Sequence, residues 1–395
     1  MKLKILFGLL FICNFSFGQT QMIKKLDGSE ISAIEIDKIV SKLMDTAKVH
    51  GLNLAILNNN KTVYANSYGY KNIVKKELLD TNSVMQAASF TKTIFAYLSM
   101  LLIQDNVIEL DKPLYQYLQK PIPDYEYFMP LNGDERWKLI TARMCLSHTT
   151  GLPNSRYINV KTGALDTTDK MKIYFEPGKQ YAYSGEGLKL LQLVEEEITK
   201  KTIEELAVEK VFKPIGMTMT SFIWQQRFEA NLAIGHLENG QLNPKKKRNV
   251  PIAGGNLLTT ITDYAKFVAY LTESKELSKK YSKIMFAPQI EITSKFQFPT
   301  MLDETTISNK EINLSYGLGV GLLKSKYGRA FFKEGHDDAW RNYFINFYDK
   351  GISLIIMTNS ANSEYIYKEL LEKIIGDIYT PFHWHRYFPY ETKTN

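Results

Sequence analysis

The chain has 395 residues, 44% of them apolar and 23% charged, with a formal net charge of +7. Values this close to globular averages exclude a fibrous repeat or a disordered chain, and the length allows a large core or two structural lobes. Its one basic run, Lys245-Lys246-Lys247-Arg248, follows Pro244 without an aromatic neighbour in sequence, which argues against nucleic-acid binding and reads as a solvated loop.

In chain order, Lys2 and Lys4 precede an apolar run over 5–13 and the small residues of Ser16-Phe17-Gly18, the layout of an export signal over 1–18. Bulky Ile12 argues against lipid attachment at Cys13. Removing this segment takes away Lys2 and Lys4, lowering the charge from +7 to +5. It leaves Cys145 alone, so no intramolecular disulfide is expected. No later stretch has the roughly 20 apolar residues needed to cross a bilayer. The mature chain is therefore expected in the periplasm or the medium of a bacterium.

Ile31, Ile34, Ile36, Ile39, Val40 and Leu43 recur at helical spacing. A buried strand over 52–57, a turn at Asn58-Asn59-Asn60 and a returning strand over 62–68 make a hairpin, so the sheet begins antiparallel rather than as a nucleotide-binding parallel fold. Helical periods follow over 94–104, 188–198, 203–211 and 262–271, with long irregular connections. Strands over 318–323, 330–332, 343–348 and 352–357 run around turns such as Asp349-Lys350-Gly351, and a helix over 363–375 follows. No internal repeat is visible. The expectation is an α+β fold, a single catalytic domain over 19–395. Its antiparallel sheet comes from both chain ends (roughly 30–90 and 270–380), flanked by helices and interrupted by an inserted, mostly helical lobe (roughly 95–265), with a cleft between lobes.

Ser89-Phe90-Thr91-Lys92 opens a helical pattern, so the Ser89 hydroxyl and the Lys92 amine share one face at a helix N-terminus. A serine hydroxyl needs a base to become a nucleophile, and a lysine serves when burial and nearby positive charge lower its pKa. Ser89 is the one serine in the chain with lysine three positions on, and neither a Gly-x-Ser-x-Gly elbow nor a His-Glu-x-x-His zinc motif occurs.

The segment 141–153 ends Leu146-Ser147-His148-Thr149-Thr150-Gly151-Leu152-Pro153. With it come Leu110-Asp111-Lys112-Pro113, Glu176-Pro177-Gly178 before Tyr183-Ser184, Pro214-Ile215-Gly216-Met217, and Ala253-Gly254-Gly255 leading to Thr260 and Asp263. Over roughly 35–378 this series resembles the serine hydrolases of the class C β-lactamase and penicillin-binding-protein superfamily. The resemblance implies a β-lactamase-like fold, Ser89 as nucleophile, Lys92 as base and Tyr183 as a proton-transfer partner. It places the third motif at Lys333-Glu334-Gly335, before His336-Asp337-Asp338-Ala339-Trp340. Lys333 would attract a substrate carboxylate and help lower the pKa of Tyr183, Gly335 would allow close backbone approach, and the N–H groups of Ser89 and His336 would form an oxyanion hole.

Where the family carries Tyr-x-Asn this chain has Tyr183-Ser184-Gly185, so at Gly185 the amide that contacts substrate is missing and Glu186 adjoins the gap. Tyr157-Ile158-Asn159 and Lys161-Thr162-Gly163 match the motifs literally but crowd one polar loop, and read as coincidental. His148 is expected to brace a turn. His383 and His385 lack neighbouring carboxylate or cysteine ligands, and no metal or cofactor is implied. The expected activity is hydrolysis of an ester or amide, in a small molecule or peptide, through a Ser89 acyl-enzyme. Gly185 and Glu334 rank an esterase, D-amino-acid peptidase or carboxypeptidase ahead of a dedicated β-lactamase. The altered second motif also admits a protein that binds penicillin or peptidoglycan peptides without turnover.

Overall fold

Alternation of side chains decides the architecture. The computed structural model describes residues 21–389 apart from 166, 168, 169, 274 and 275, so the expected signal segment, Cys13 included, lies outside the described residues. Among these, nine strands form one antiparallel sheet: β1 Gly51–Asn58, β2 Lys61–Asn72, β3 Glu77–Leu78, β4 Ile290–Glu291, β5 Ser315–Tyr316, β6 Gly321–Ser325, β7 Gly328–Asp337, β8 Trp340–Phe347 and β9 Ile352–Thr358. Their spatial order is β4-β5-β6-β7-β8-β9-β1-β2-β3, which joins strands from the two ends of the chain through the β9–β1 pair.

Period-2 geometry sends Leu52, Leu54 and Ile56 of β1, Tyr343 and Ile345 of β8, and Leu354 and Ile356 of β9 to one face. Ala55, Leu57, Phe344, Ile355 and Met357 go to the other. The first face is covered by α1, Ala33–Ala47, and α5, Tyr367–Ile375. The second is covered by α2, Thr91–Gln104, and α4, Ile261–Glu273. Between α2 and α3, Glu186–Thr199, the chain makes mostly short 3-10 turns, yet Phe128, Leu131, Trp137 and Ile140 anchor this irregular stretch in the core.

Several boundaries differ from the sequence expectation for local reasons. Ser32 caps α1 by accepting from the Glu35 N–H at 3.2 Å. Ile31 therefore belongs to a small ladder, Glu30–Ser32 against Met22–Lys24, and Ile34 points away from the buried stripe of Ile36, Val40, Leu43 and Met44. The pattern over 203–211 divides into a helix Ile203–Ala207 and a π-turn Val208–Phe212. The strand expected over 330–332 continues to Asp337 and carries the whole third motif; Leu318 and Val320 lie before β6, in the turn leading to it. Asn59 and Asn60 both adopt left-handed φ, 50° and 57°, as a two-residue hairpin turn requires.

Cys145 is buried, and burial pushes its thiol up. Glu195, on the core side of α3, is fully enclosed with neither carboxylate oxygen hydrogen-bonded among the described residues, and burial pushes its carboxyl up to about 8. A folded-state pKa above the unfolded value means the stability from this group is complete below the ordinary carboxylate range and is lost as pH climbs through about 8. Glu195→Gln, a neutral isostere, is expected to melt with the parent at pH 5 and several degrees above it at pH 9, with a ceiling of roughly 5 kcal/mol. Thermal melts across pH check this; a difference that does not change with pH overturns it.

Candidate active site

The site forms where a tight turn, a helix and a strand converge. A two-residue ladder, Met85–Gln86 against Leu258–Thr259, delivers the chain to a 3-10 turn, Ala88–Phe90, that runs directly into α2. Ala88 holds φ at 46°, a strained value for a residue with a side chain, and this leaves Ser89 half-buried at the cavity wall. The turn is fixed from behind: the Ala87 N–H donates to the Leu257 carbonyl at 2.9 Å, and Phe90 stacks on Tyr264 at 4.4 Å and meets Phe344 edge-on at 5.3 Å.

One helical turn on, Lys92 is 3% exposed and its Nζ lies 2.9 Å from Ser89 Oγ and 2.5 Å from the Gly254 carbonyl. Burial, then the positive charge of Lys333, lower its pKa to about 7, with Glu334 opposing in part. The amine is thus available as an uncharged base near neutral pH. Tyr183 does not have the lowered pKa expected beside Lys333: burial, then Glu334, hold its phenol well above the ordinary value. At neutral pH Tyr183 is therefore a neutral phenol that can pass a proton on, while Lys92 is the group able to take one.

Lys333 is completely enclosed on β7, opposite Phe344. Its Nζ donates to the Tyr183 hydroxyl at 2.8 Å and pairs with the adjoining Glu334 carboxylate. Burial works against ionisation of Glu334, but contact with Lys333 holds the carboxyl below its usual range. Lys92 Nζ and Lys333 Nζ stand 5.0 and 4.8 Å from the Tyr183 ring centroid, so two lysine nitrogens flank one aromatic ring. His148 supports that ring from 4.5 Å; its Nδ1 accepts from the Ser184 N–H at 3.2 Å, which leaves Nε2–H to face the Tyr316 hydroxyl at 3.2 Å. Burial first, then Lys333 and Lys92, depress its pKa, keeping the imidazole neutral.

Gly335 lies where β7 passes the turn that carries Ser89. A Cβ there would stand 2.6 Å from the Ala87 carbonyl and 3.1 Å from Asn342 Nδ2, which donates to the Gln86 carbonyl at 3.1 Å. Gly335→Ala is expected to slow Ser89 labelling by a fluorophosphonate roughly 10- to 100-fold, because the strand and the turn must separate. Labelling at the parent rate, read by intact mass, would show that this approach is dispensable.

Two cavities, of about 300 and 390 Å³, meet at Ser89, and His336 lines both. Gly185, at the start of α3, lines the first with Glu186 and Lys189. Tyr157, Asn159, Lys161 and Gly163 line neither. Three contributors were given no role from the sequence: the Gly254 carbonyl, Asn154, and the hydrogen-bonded pair Gln297 and His385 beside Glu334. Asn154 lines both cavities; burial takes His385 down to about 4. The basic run is not wholly solvated either. It rims a neighbouring cavity, with Lys245 paired to Asp337 at 2.7 Å and Lys247 lying 4.4 Å from the Trp224 ring centroid.

Among curated proteins, Protein flp of Staphylococcus aureus (strain N315) is 23% identical over 342 residues, 85% of this chain. The chain spans 64% of the length of that relative. Among solved structures, the octameric penicillin-binding protein homologue from Pyrococcus abyssi superposes with a TM-score of 0.70 at 19% identity, covering 88% of this chain and 78% of that one. EstCE1, a hydrolase with promiscuous acyltransferase activity, superposes with a TM-score of 0.67 at 16% identity over 87% of this chain and 97% of that one. Both share the antiparallel sheet flanked by helices. The Beta-lactamase family model matches residues 36–374, most of the chain, and the protein belongs to that family.

Proposed function

We propose that the protein is an exported serine hydrolase that cleaves an ester or amide through a Ser89 acyl-enzyme. The observation that carries this reading is the 2.9 Å contact between Ser89 Oγ and a buried lysine whose pKa is lowered to about 7. Uncharged Lys92 takes the Ser89 proton as Oγ bonds to the carbonyl carbon, and the carbonyl electron pair moves to oxygen, held by the N–H groups of Ser89 and His336. Collapse restores the C=O and expels the leaving group, which takes the proton back from Lys92 by way of Tyr183. Water then repeats the sequence on the ester, giving the acid and free Ser89.

Lys333, enclosed and paired with Glu334, acts on Lys92 and Tyr183 rather than presenting a free cation to a substrate carboxylate. That favours a neutral ester or peptide over a β-lactam. For export, support comes from the sequence of 1–18; among the described residues no helix is long and apolar enough to cross a membrane.

The test is intact-mass and turnover analysis of residues 19–395 with p-nitrophenyl acetate, nitrocefin and a D-Ala-D-Ala peptide. Turnover with a transient adduct on Ser89 is expected, fastest on the ester or the peptide. A stable adduct without turnover would make the protein a binder or sensor, and an adduct elsewhere would overturn the site.

A further inference from the structure

The run Lys245-Lys246-Lys247-Arg248 lines a cavity of about 230 Å³ that adjoins the Ser89 site and that the reaction scheme above does not use. Asn256 and Asp337 are the shared wall, since both line this cavity and the one of about 300 Å³ at Ser89. The run is held at both ends: Lys245 pairs with Asp337 at 2.7 Å, and the Trp224 N–H donates to the Arg248 carbonyl at 2.7 Å. Between them Lys247 pairs with Glu229. Lys246 and Arg248 line the cavity too, and among the described residues neither side chain has a carboxylate partner. On the shared wall the Asn256 carboxamide nitrogen is buried and has no hydrogen-bond partner among the described residues. Its backbone is nevertheless fixed, because the Leu257 N–H donates to Thr91 Oγ1 at 3.1 Å and the Gly254 carbonyl holds Lys92.

We propose that this cavity is a subsite for an anionic group, a carboxylate or phosphate, that the substrate carries at a distance from its scissile bond. The inference rests on the Ser89 hydrolase reading. Asp337 and Glu229 neutralise two of the four cations of the run, which leaves Lys246 and Arg248 to set the sign of the cavity. A cleft with low-dielectric walls concentrates that field on whatever enters it. An ammonium, a guanidinium and a carboxamide N–H are all donors, and a charged oxygen is the acceptor that suits the three together. Trp224 and Leu258 supply apolar wall for the carbon chain that joins the anion to the reacting group. A substrate that is neutral beside the scissile bond and charged here is also compatible with Lys333 being enclosed and paired with Glu334.

The test compares kcat/KM for ester pairs that differ only in a terminal carboxylate or its primary amide, over a series of chain lengths. The carboxylate is placed on the acyl side, in p-nitrophenyl half-esters of dicarboxylic acids, and on the alcohol side, in acetyl esters of ω-hydroxy acids. On one side, at the lengths that reach the cavity, the charged member is expected to be preferred roughly 10-fold at low salt, and the preference should shrink as salt is added. Lys246→Ala/Arg248→Ala is expected to bring that ratio close to one. Asn256→Asp, which puts a negative charge in place of the buried carboxamide, should lower it in the same direction. A ratio near one at every length on both sides, or a preference that survives in both variants, overturns the inference while leaving the hydrolase in place. If none of the esters acylates Ser89 in the parent protein, the hydrolase reading fails first and this inference falls with it.

Discussion

Ser89→Ala is expected to abolish the covalent adduct and cut ester turnover by roughly four to six orders of magnitude, with folding intact. The size follows from how many functions converge on one oxygen. In the proposed reaction Ser89 Oγ is the atom that bonds to the acyl carbon, and it is the partner of Lys92 at 2.9 Å. Removing it leaves a base with no proton to take, and only positioning and the N–H groups of the wall continue to act on a water molecule. Stability should change little, because the turn is held by neighbours: the Ala87 backbone and Phe90 keep their partners in the variant. Intact-mass labelling with a fluorophosphonate and a thermal melt, run side by side, separate the two effects. An adduct that persists in Ser89→Ala places the nucleophile elsewhere.

Local information in the sequence was enough to pair Ser89 with Lys92 and to find most of the sheet. Ser89 and Lys92 meet because three residues make nearly one helical turn, and β1, β8 and β9 are strands because alternating residues must fill two cores. The family resemblance added Tyr183 and Lys333, which the fold brings within 2.8 Å across 150 positions of sequence. What stayed hidden depends on contacts that no spacing encodes. Nothing near Lys333 announced that it would be fully enclosed and paired with Glu334, since that follows from burial. Asn154 lies on a loop without periodicity, and its place in the wall depends on the missing side chain at Gly185, 31 residues away. The paired strands β4 and β5 are only two residues each, too short for any alternation to register.

The pH dependence of acylation discriminates the roles of the two lysines. Lys92 must be uncharged to accept the Ser89 proton, and its pKa lies at about 7. The acylation rate should therefore climb through pH 7 and level off above about 8, and Lys92→Met should lower the plateau by roughly three orders of magnitude or more. A rate flat between pH 6 and 9 would remove Lys92 as the base. Burial is the largest cause of the lowered pKa and survives in variants elsewhere; the second cause, Lys333, can be removed. Lys333→Met takes away the positive neighbour and leaves Glu334, whose negative charge favours the ammonium form of Lys92. The rising limb should then move to higher pH, so the variant is slow at pH 7 and recovers toward pH 9. Because Lys333→Met strands a buried carboxylate and can destabilise the fold, the paired change Lys333→Met/Glu334→Gln is the companion variant. Lys333 lowers the Lys92 pKa more than Glu334 raises it, so the limb should still move upward in the pair, by less than in the single variant. Both shifts should resist added salt, because the charges face each other inside the protein, where counterions do not reach. A limb that stays at pH 7 in both variants would assign the lowered pKa to burial alone and confine Lys333 to holding Tyr183.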